Sequence, residues 1–597
     1  MEMKEAPEQL YTKGLQQTNA EMERLVHRRR QYGFLRFALA LLAIFLGWWL
    51  WPMLWVVLPL VALFLWVVRR DADNRDTLAF QEKLKWVQEQ ELLYFKHQFH
   101  QHADGQLFVD AAHPYASDLD LFGKHSLFQF INRAQSGQGQ ASLASALMHP
   151  LPLQHIAEQQ DAVRELSGKH SFRQKVQARG MASAIDPAMQ QAVKSWTVSP
   201  PLFSRSAFWI AVRFLQPLLA FTWLGLYLRD LVTDNQFLTG LIVLGMIAFH
   251  ISRKILPIHQ SLGSVTEQLE ALALSLQEIQ QEEFRNPMLQ KMRGQVFQQG
   301  TAASQQIHEL KKILDCFDLR MNPLVHVPLN IFLGWDIWQA FALERWKENH
   351  TADTDHWFNT LAEFEMLNSF STLSFNHPAW SFPELVGEEP LFEGIGLNHP
   401  LIPPTTSVAN DFSLRGKGRV AVITGSNMAG KSTFLRTVGV NMVLACAGAP
   451  VCARKLRIYP MQIMSSMRIM DNLEENTSTF YAELKKLGAI IEAVRQQKPV
   501  FILLDEILRG TNSQDRQTGS MALVRQLIRE QAIGIVATHD LGLAAMEKEY
   551  PDSVSNHHFD VQVSDGEMYF DYTLKSGVCT SMNASLLMRK IGISLDQ

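Results

Sequence analysis

Thr424-Gly425-Ser426-Asn427-Met428-Ala429-Gly430-Lys431-Ser432-Thr433 reads G-x-x-x-x-G-K-S, the pattern of a phosphate-binding loop. Its surroundings meet what that pattern requires. Val420 to Ile423 is a short apolar run, the length of a buried parallel strand. Phe434-Leu435-Arg436-Thr437-Val438 then opens a helix. Strand, glycine loop and helix N-terminus together aim backbone N–H groups and a positive dipole end at phosphate oxygens. Gly425 and Gly430 permit the tight turn and the close approach. Lys431 is expected to reach the β- and γ-phosphates, and the Ser432 hydroxyl to hold Mg²⁺. The candidate nucleotide-binding residues are therefore Gly425, Ser426, Asn427, Met428, Ala429, Gly430, Lys431, Ser432 and Thr433.

Further along the chain, Val500-Phe501-Ile502-Leu503-Leu504-Asp505-Glu506 is an apolar strand ending in two carboxylates. An acid at the end of such a strand can reach the nucleotide's Mg²⁺, a role assigned to Asp505. Glu506 is then placed to orient or polarise the attacking water. Gly534-Ile535-Val536-Ala537-Thr538 is another apolar strand, and it ends at His539. A histidine there can hydrogen-bond the γ-phosphate or the water. From about Leu397 onward, short apolar and β-branched runs alternate with helical stretches. That alternation predicts an α/β domain with a mainly parallel sheet.

The rest of the chain reads differently. With 597 residues it exceeds one ordinary core, so several domains are expected. A net charge of −4 excludes an overall basic footprint; any nucleic-acid binding must come from a local patch. Cys316, Cys446, Cys452 and Cys579 lack metal-ligand spacing and suit a reducing compartment. His97, His100 and His102 have no clean i, i+4 pair and no carboxylate partner, so they read as a solvated helix end. No metal beyond Mg²⁺ is expected.

Gly33 to Val68 is almost wholly apolar, enough for two short membrane crossings, Phe34–Leu50 and Met53–Val68, with Trp51-Pro52 at the turn. Arg28-Arg29-Arg30 precede the run and Arg69, Arg70 and Arg75 follow it. Positive charge outside both ends places both in the cytoplasm. A second, weaker pair follows, Ala207–Leu228 and Phe237–Ile251, with Arg205 before it and Arg253 and Lys254 after it; it reads as a second crossing pair or as a hairpin on the membrane surface or in a core. The expected location is the inner (cytoplasmic) membrane, multi-pass, with the soluble parts in the cytoplasm. Ser261 to Glu283 carries Val265, Leu269, Leu272, Leu276 and Ile279 at alternating spacings of four and three, the seam of a packed helix.

The motifs together resemble the MutS family of DNA mismatch-repair ATPases, whose ATPase fold is of the ABC type. Asn427-Met428-Ala429-Gly430-Lys431-Ser432-Thr433 is close to that family's N-M-G-G-K-S-T. Asp505-Glu506-Ile507-Leu508-Arg509-Gly510-Thr511, continuing to Asp515, resembles its D-E-I-G-R-G-T-x-x-x-D. Ala537-Thr538-His539 matches its A-T-H, and Ser478-Thr479-Phe480 with Glu483 matches its signature element. The resemblance implies ATP with Mg²⁺, and catalytic roles for Glu506 and His539. It also implies a homodimer in which Ser478 and Thr479 complete the partner's site, and DNA as a partner. His125-Ser126-Leu127-Phe128 and the stretch from Gly139 to Leu147 resemble the start of the family's helical lever domain.

The expected order is a cytoplasmic segment 1–32, a transmembrane hairpin 33–70, a helical linker 71–118, an all-α lever domain 119–396 with a second apolar hairpin 207–251, and an ABC-type P-loop ATPase domain 397–597. The chain departs from the family before Leu119, where a hairpin stands in place of mismatch-reading domains. It also carries Ser407 where the family tends to have an aromatic residue. Two other readings share these features: an ABC-exporter-like transport ATPase, and a membrane tether gated by ATP that does not bind DNA. Against the exporter, Asn476-Thr477-Ser478-Thr479 lacks the exporter-type glycine pair.

Overall fold

The computed structural model describes residues 6–49, 54–183, 185–263, 265–298, 301–351, 353–426, 428–468, 479–564 and 567–579. The chain divides into two compact units. One comprises Met1–Leu92, Ala134–Gln140 and Ser171–Glu365; the other comprises Leu93–Arg133, Ala141–His170 and Met366–Gln597.

The first unit is mostly helical. Two long helices, Pro7–Trp49 and Leu58–Tyr94, run antiparallel. Arg36 pairs with Asp71 at 2.9 Å, and the Asn74 amide donates to the Leu25 carbonyl at 3.1 Å. The expected turn at Trp51-Pro52 lies outside the described residues. Phe34, Phe37, Ile44 and Trp48 of the first helix are exposed, as are Leu58, Leu65 and Trp66 of the second.

The second apolar pair forms helices Ala207–Leu228 and Asp234–Gly263. Tyr227 stacks on Phe237 at 4.1 Å beside the connecting turn, and the Lys254 ammonium lies 5.2 Å from the Trp209 ring at the far end. Gly240 allows this closeness: a Cβ there would sit 2.1 Å from the Trp223 indole nitrogen. Among the described residues, Pro7–Trp49, Ala207–Leu228 and Asp234–Pro257 are long and apolar enough to cross a membrane. The seam residues Leu269, Leu272, Leu276 and Ile279 are buried on helix Thr266–Gln281, which packs against helix Ala303–Asp318. The short helix Pro323–Leu333 is followed by helices Trp335–His350 and Thr354–Asn376.

The second unit contains the mixed α/β region. Its larger sheet has six strands in the order Glu567–Ser576, Val554–Ser564, Arg419–Thr424, Ile533–Thr538, Val500–Asp505, Gln462–Ser466. Every neighbouring pair is parallel except the antiparallel edge pair at Glu567–Ser576. All six residues of Val500–Asp505 are buried, and so are all six of Ile533–Thr538. A parallel strand covered on both faces needs apolar residues at successive positions, so these strands read as runs rather than alternations. Helices Thr479–Arg495 and Ser513–Arg529 contribute Leu487, Val494, Val524 and Leu527 to one core with Val422, Ile502 and Val536. A four-stranded sheet, ordered Glu384–Leu385, Lys455–Ile458, Leu391–Leu397, Asn410–Arg415, adjoins it through Phe392, which lies 5.7 Å from Phe501.

Candidate functional site

The loop after strand Arg419–Thr424 turns on residues with positive φ: Met428 at 67° and Gly430 at 108°. Gly430 is the N-cap of helix Lys431–Cys446. The helix therefore starts three residues before the expected Phe434. The left-handed glycine ends the loop and leaves Lys431 and Ser432 in the first turn, where backbone N–H groups are free of helical partners. Asn427 lies outside the described residues. Ser426 carries a buried hydroxyl with no hydrogen-bond partner among the described residues.

Three strand ends deliver the remaining candidates. Lys431 is buried, and its ammonium donates to the Gly425 and Ser426 carbonyls at 2.9 and 3.0 Å. Burial pushes its pKa down, while the charges of Glu506 and Asp505 pull the other way. The Ser432 hydroxyl donates to Asp505 Oδ2. Asp505 Oδ1 is buried and has no partner among the described residues. Burial raises the Asp505 pKa, and the Ser432 hydrogen bond opposes that rise.

Glu506 has φ 49°, and its N–H donates to the Ala537 carbonyl at 2.9 Å. His539 Nε2 lies 2.6 Å from Glu506 Oε1, and Arg509 Nε lies 3.3 Å from Oε2. The His539 hydrogen bond, then the His539, Arg509 and Lys431 charges, hold the Glu506 carboxyl below its ordinary range against the effect of burial. His539 also approaches Lys431 Nζ at 3.4 Å. Lys431, Ser432 and Glu506 line a cavity of about 420 Å³, together with Asn410, Phe559 and Tyr572. Asp505 and Glu506 border a second opening of about 300 Å³ with Glu483 and Arg509.

Ser478 lies outside the described residues, and of Thr479 only its position at the start of helix Thr479–Arg495 is described. Glu483 on that helix accepts from the Leu508 N–H, so the helix caps the turn after the paired carboxylates. Leu508 there has φ 59°, where the resembling family has glycine.

The MutS domain V family profile matches residues 421–589. Residues 421–589 are thus similar to domain V of the MutS family. It is 32% identical over 240 residues to DNA mismatch repair protein MutS 2 of Halobacterium salinarum, covering 39% of this chain and 27% of that protein. It is 32% identical over 220 residues to DNA mismatch repair protein MutS of Thermotoga petrophila, covering 36% and 27%. DNA mismatch repair protein MSH4 of Arabidopsis thaliana is 31% identical over 231 residues, covering 38% and 29%. The matches thus span little more than a quarter of the relatives' own length.

Around the MutS domain V, the structure adds residues that the sequence pattern did not single out. Asp118, 1% exposed, accepts from the Met467 and Arg468 N–H groups and from Ser465 Oγ at 2.7 Å, with Lys486 Nζ at 3.3 Å. It pins the chain leaving strand Gln462–Ser466. Arg436, from the phosphate-loop helix, donates to the Asp118 carbonyl and lies 3.5 Å from Asp120. Tyr572, from the antiparallel edge strand, faces Gly430, and the Asn410 amide donates to its carbonyl at 3.0 Å. A single charged or aromatic residue, whether in a turn as Asp118 is or on a helix or strand as Arg436 and Tyr572 are, gives no periodic signal of its partner, so no local pattern marks it.

Proposed function

We propose that the chain is a Mg²⁺-dependent ATP hydrolase with an ABC-type P-loop domain. One observation carries this reading: Lys431, Ser432, Asp505, Glu506 and His539 come from three separate strand ends and meet within hydrogen-bonding distance. In it, residues Gly425 to Thr433 bind the phosphates, and Lys431 neutralises charge on the β- and γ-phosphates. Ser432 and Asp505 hold Mg²⁺; the unpartnered Asp505 Oδ1 beside the Ser432 hydroxyl fits the oxygen donors a hard divalent cation takes. When bound, Mg²⁺ supplies positive charge at the phosphate oxygens. Glu506, ionised and aligned by His539 and Arg509, orients the attacking water; His539 can bond either that water or the γ-phosphate.

The proposal extends to assembly and location. Ser478 and Thr479 complete the ATP site of a second copy, so ATP closes a homodimer. The exposed apolar hairpin at 33–70, crossing out in helix Pro7–Trp49 and back before Arg69, and the pair Ala207–Leu228 and Asp234–Pro257 anchor the chain in the membrane, with the soluble parts in the cytoplasm. The relatives' names make DNA the partner to test. A soluble fraction containing all the protein after carbonate extraction would sink the anchor. Unretarded homoduplex and mismatched DNA, with and without ATP, would remove DNA and leave the membrane tether.

Glu506→Gln tests the chemistry and the dimer together. Loss of a positioned acid–base group is expected to lower kcat about 10²- to 10⁴-fold while ATP stays bound. With ATP the variant should elute as a dimer and without it as a monomer. Unaltered turnover would overturn the Glu506 role, and a monomer with bound ATP would overturn the shared site.

A further inference from the structure

The helical unit contains a groove whose charges the ATPase does not use. It has a volume of about 940 Å³ and receives Arg213 from helix Ala207–Leu228, Lys312 from helix Ala303–Asp318, and Arg345 from helix Trp335–His350. Nearby cations are paired: Lys311 with Glu270 and Asp315, and Arg205 with Glu348. Among the described residues no carboxylate pairs with Arg213, Lys312 or Arg345. Two acids line the groove. Glu348 is already held by Arg205 and by the Ser204 hydroxyl, which leaves Glu309 against three cations.

Arg213 is the most constrained of the three. Its guanidinium carbon lies 3.4 Å from the Trp338 ring centroid and 5.0 Å from that of Phe341. Stacking uses the face of the guanidinium and leaves its N–H donors pointing outward in the plane, the geometry that takes a phosphate bidentately. Its Nε is buried and has no hydrogen-bond partner among the described residues. A buried donor left unpaired is costly, which marks this side chain as one held for its charge.

The groove also has an apolar continuation. Phe214, beside Arg213 in sequence, is 58% exposed, and its ring lies 5.6 Å from that of Trp338 in the groove wall. Arg213 lies six residues inside helix Ala207–Leu228, about 9 Å along its axis. Lys254 beside Trp209 marks the same end of the hairpin. If the hairpin spans, this end lies at the depth of the lipid headgroups, where cations and tryptophan concentrate. A ligand with an anionic phosphodiester head and an apolar tail matches both parts of the groove, whereas a free phosphate matches only the first.

We propose that Arg213, Lys312 and Arg345 form a binding site for the headgroup of an acidic phospholipid. The site rests on the membrane reading above and deepens it, from an apolar anchor to one that selects lipid charge.

The test uses the full chain, extracted in detergent and supplied with phosphatidylglycerol or phosphatidylcholine, with bound lipid counted by mass spectrometry. Phosphatidylglycerol should be retained preferentially. Lys312→Gln with Arg345→Gln should lower that retention by about fivefold for each cation removed. Both side chains are exposed, so the fold should survive, with the melting temperature as the check. Arg213→Lys keeps the charge but loses the fork, and should weaken binding too. Equal retention of the two lipids, or no change in the double variant, overturns the site. Inorganic phosphate that displaces the lipid at equal concentration also overturns it, because the groove would then be a free-phosphate site. Carbonate extraction of the same preparation separates the two failures. Release into the soluble fraction removes the membrane anchor and the lipid site with it. Retention without lipid preference removes the lipid site alone.

Discussion

The strand Val500–Asp505 and the helix Ala207–Leu228 are both nearly continuous apolar runs, and the fold treats them in opposite ways. Leu503 and Leu504 are fully buried, whereas Phe208 is 65% exposed and Leu218 63%. The strand has apolar helices over its sheet, so each side chain leaves water for protein at about 25 cal/mol per Å². The helix turns its large side chains outward. An apolar run says that residues leave water; it does not say what replaces the water. The two runs differ in length. A six-residue strand fits inside a domain, while 22 helical residues reach about 33 Å, enough to cross a hydrocarbon core of about 30 Å.

The same charge placed in each region would break this comparison most sharply. Leu503→Asp buries an unpaired carboxylate between the sheet and helix Lys431–Cys446 and is expected to cost more than about 4 kcal/mol. Thermal melting should show loss of the α/β transition, and nucleotide binding should go with it. Leu218→Asp should leave that transition and nucleotide binding intact. Its cost falls on insertion, about 3 kcal/mol for an acid at the centre of a spanning helix, and appears as protein released by carbonate. Should Leu218→Asp instead lower the melting temperature as Leu503→Asp does, with no release, protein rather than lipid covers the helix.

Glu365 sharpens the comparison within the protein interior. It is buried and accepts from the Gln135 and Ser136 N–H groups and the Ser136 hydroxyl. Burial, partly offset by those hydrogen bonds, lifts its pKa from 4.5 to about 7. The folded chain therefore keeps a proton that the unfolded chain loses near 4.5. The stability this adds is complete below that value, declines as pH rises toward about 7, and is lost above it. Its size is on the order of 3 kcal/mol. Denaturant unfolding of the wild type should show that slope, and Glu365→Gln should flatten it. A slope unchanged in the variant assigns the pH dependence to other groups.

The smallest effect belongs to an exposed cap. The Asn512 side chain accepts from the Asp515 N–H at 2.9 Å and starts helix Ser513–Arg529. Asn512→Ala should cost about 1 kcal/mol, read as a lower denaturant midpoint with unchanged slope. A larger loss would mean that this turn bears on the site as well as on the helix.

The sequence by itself determined the local content of the candidate site. Lys431, Asp505, Glu506 and His539 each follow an apolar run, and each run is a strand of one sheet. In a parallel sheet such ends lie along one edge, so reading each strand also placed its end group near the others. The two apolar pairs and the seam from Val265 to Ile279 were equally plain, because a long apolar run and a helical spacing of apolar residues both leave a mark on consecutive residues.

Only the tertiary structure decided the partners. It set Arg419–Thr424 between Ile533–Thr538 and Val554–Ser564, and it turned Glu567–Ser576 back as an antiparallel edge that brings Tyr572 to the cavity. It joined Leu93–Arg133 and Ala141–His170 to the same unit as Met366–Gln597, and so put Asp118 beneath the strand that ends at Ser466. It also gathered Arg213, Lys312 and Arg345 from three helices into one groove. Periodicity records whether a residue is covered. What covers it depends on the fit of surfaces distant in the chain, and no short window of sequence contains that fit.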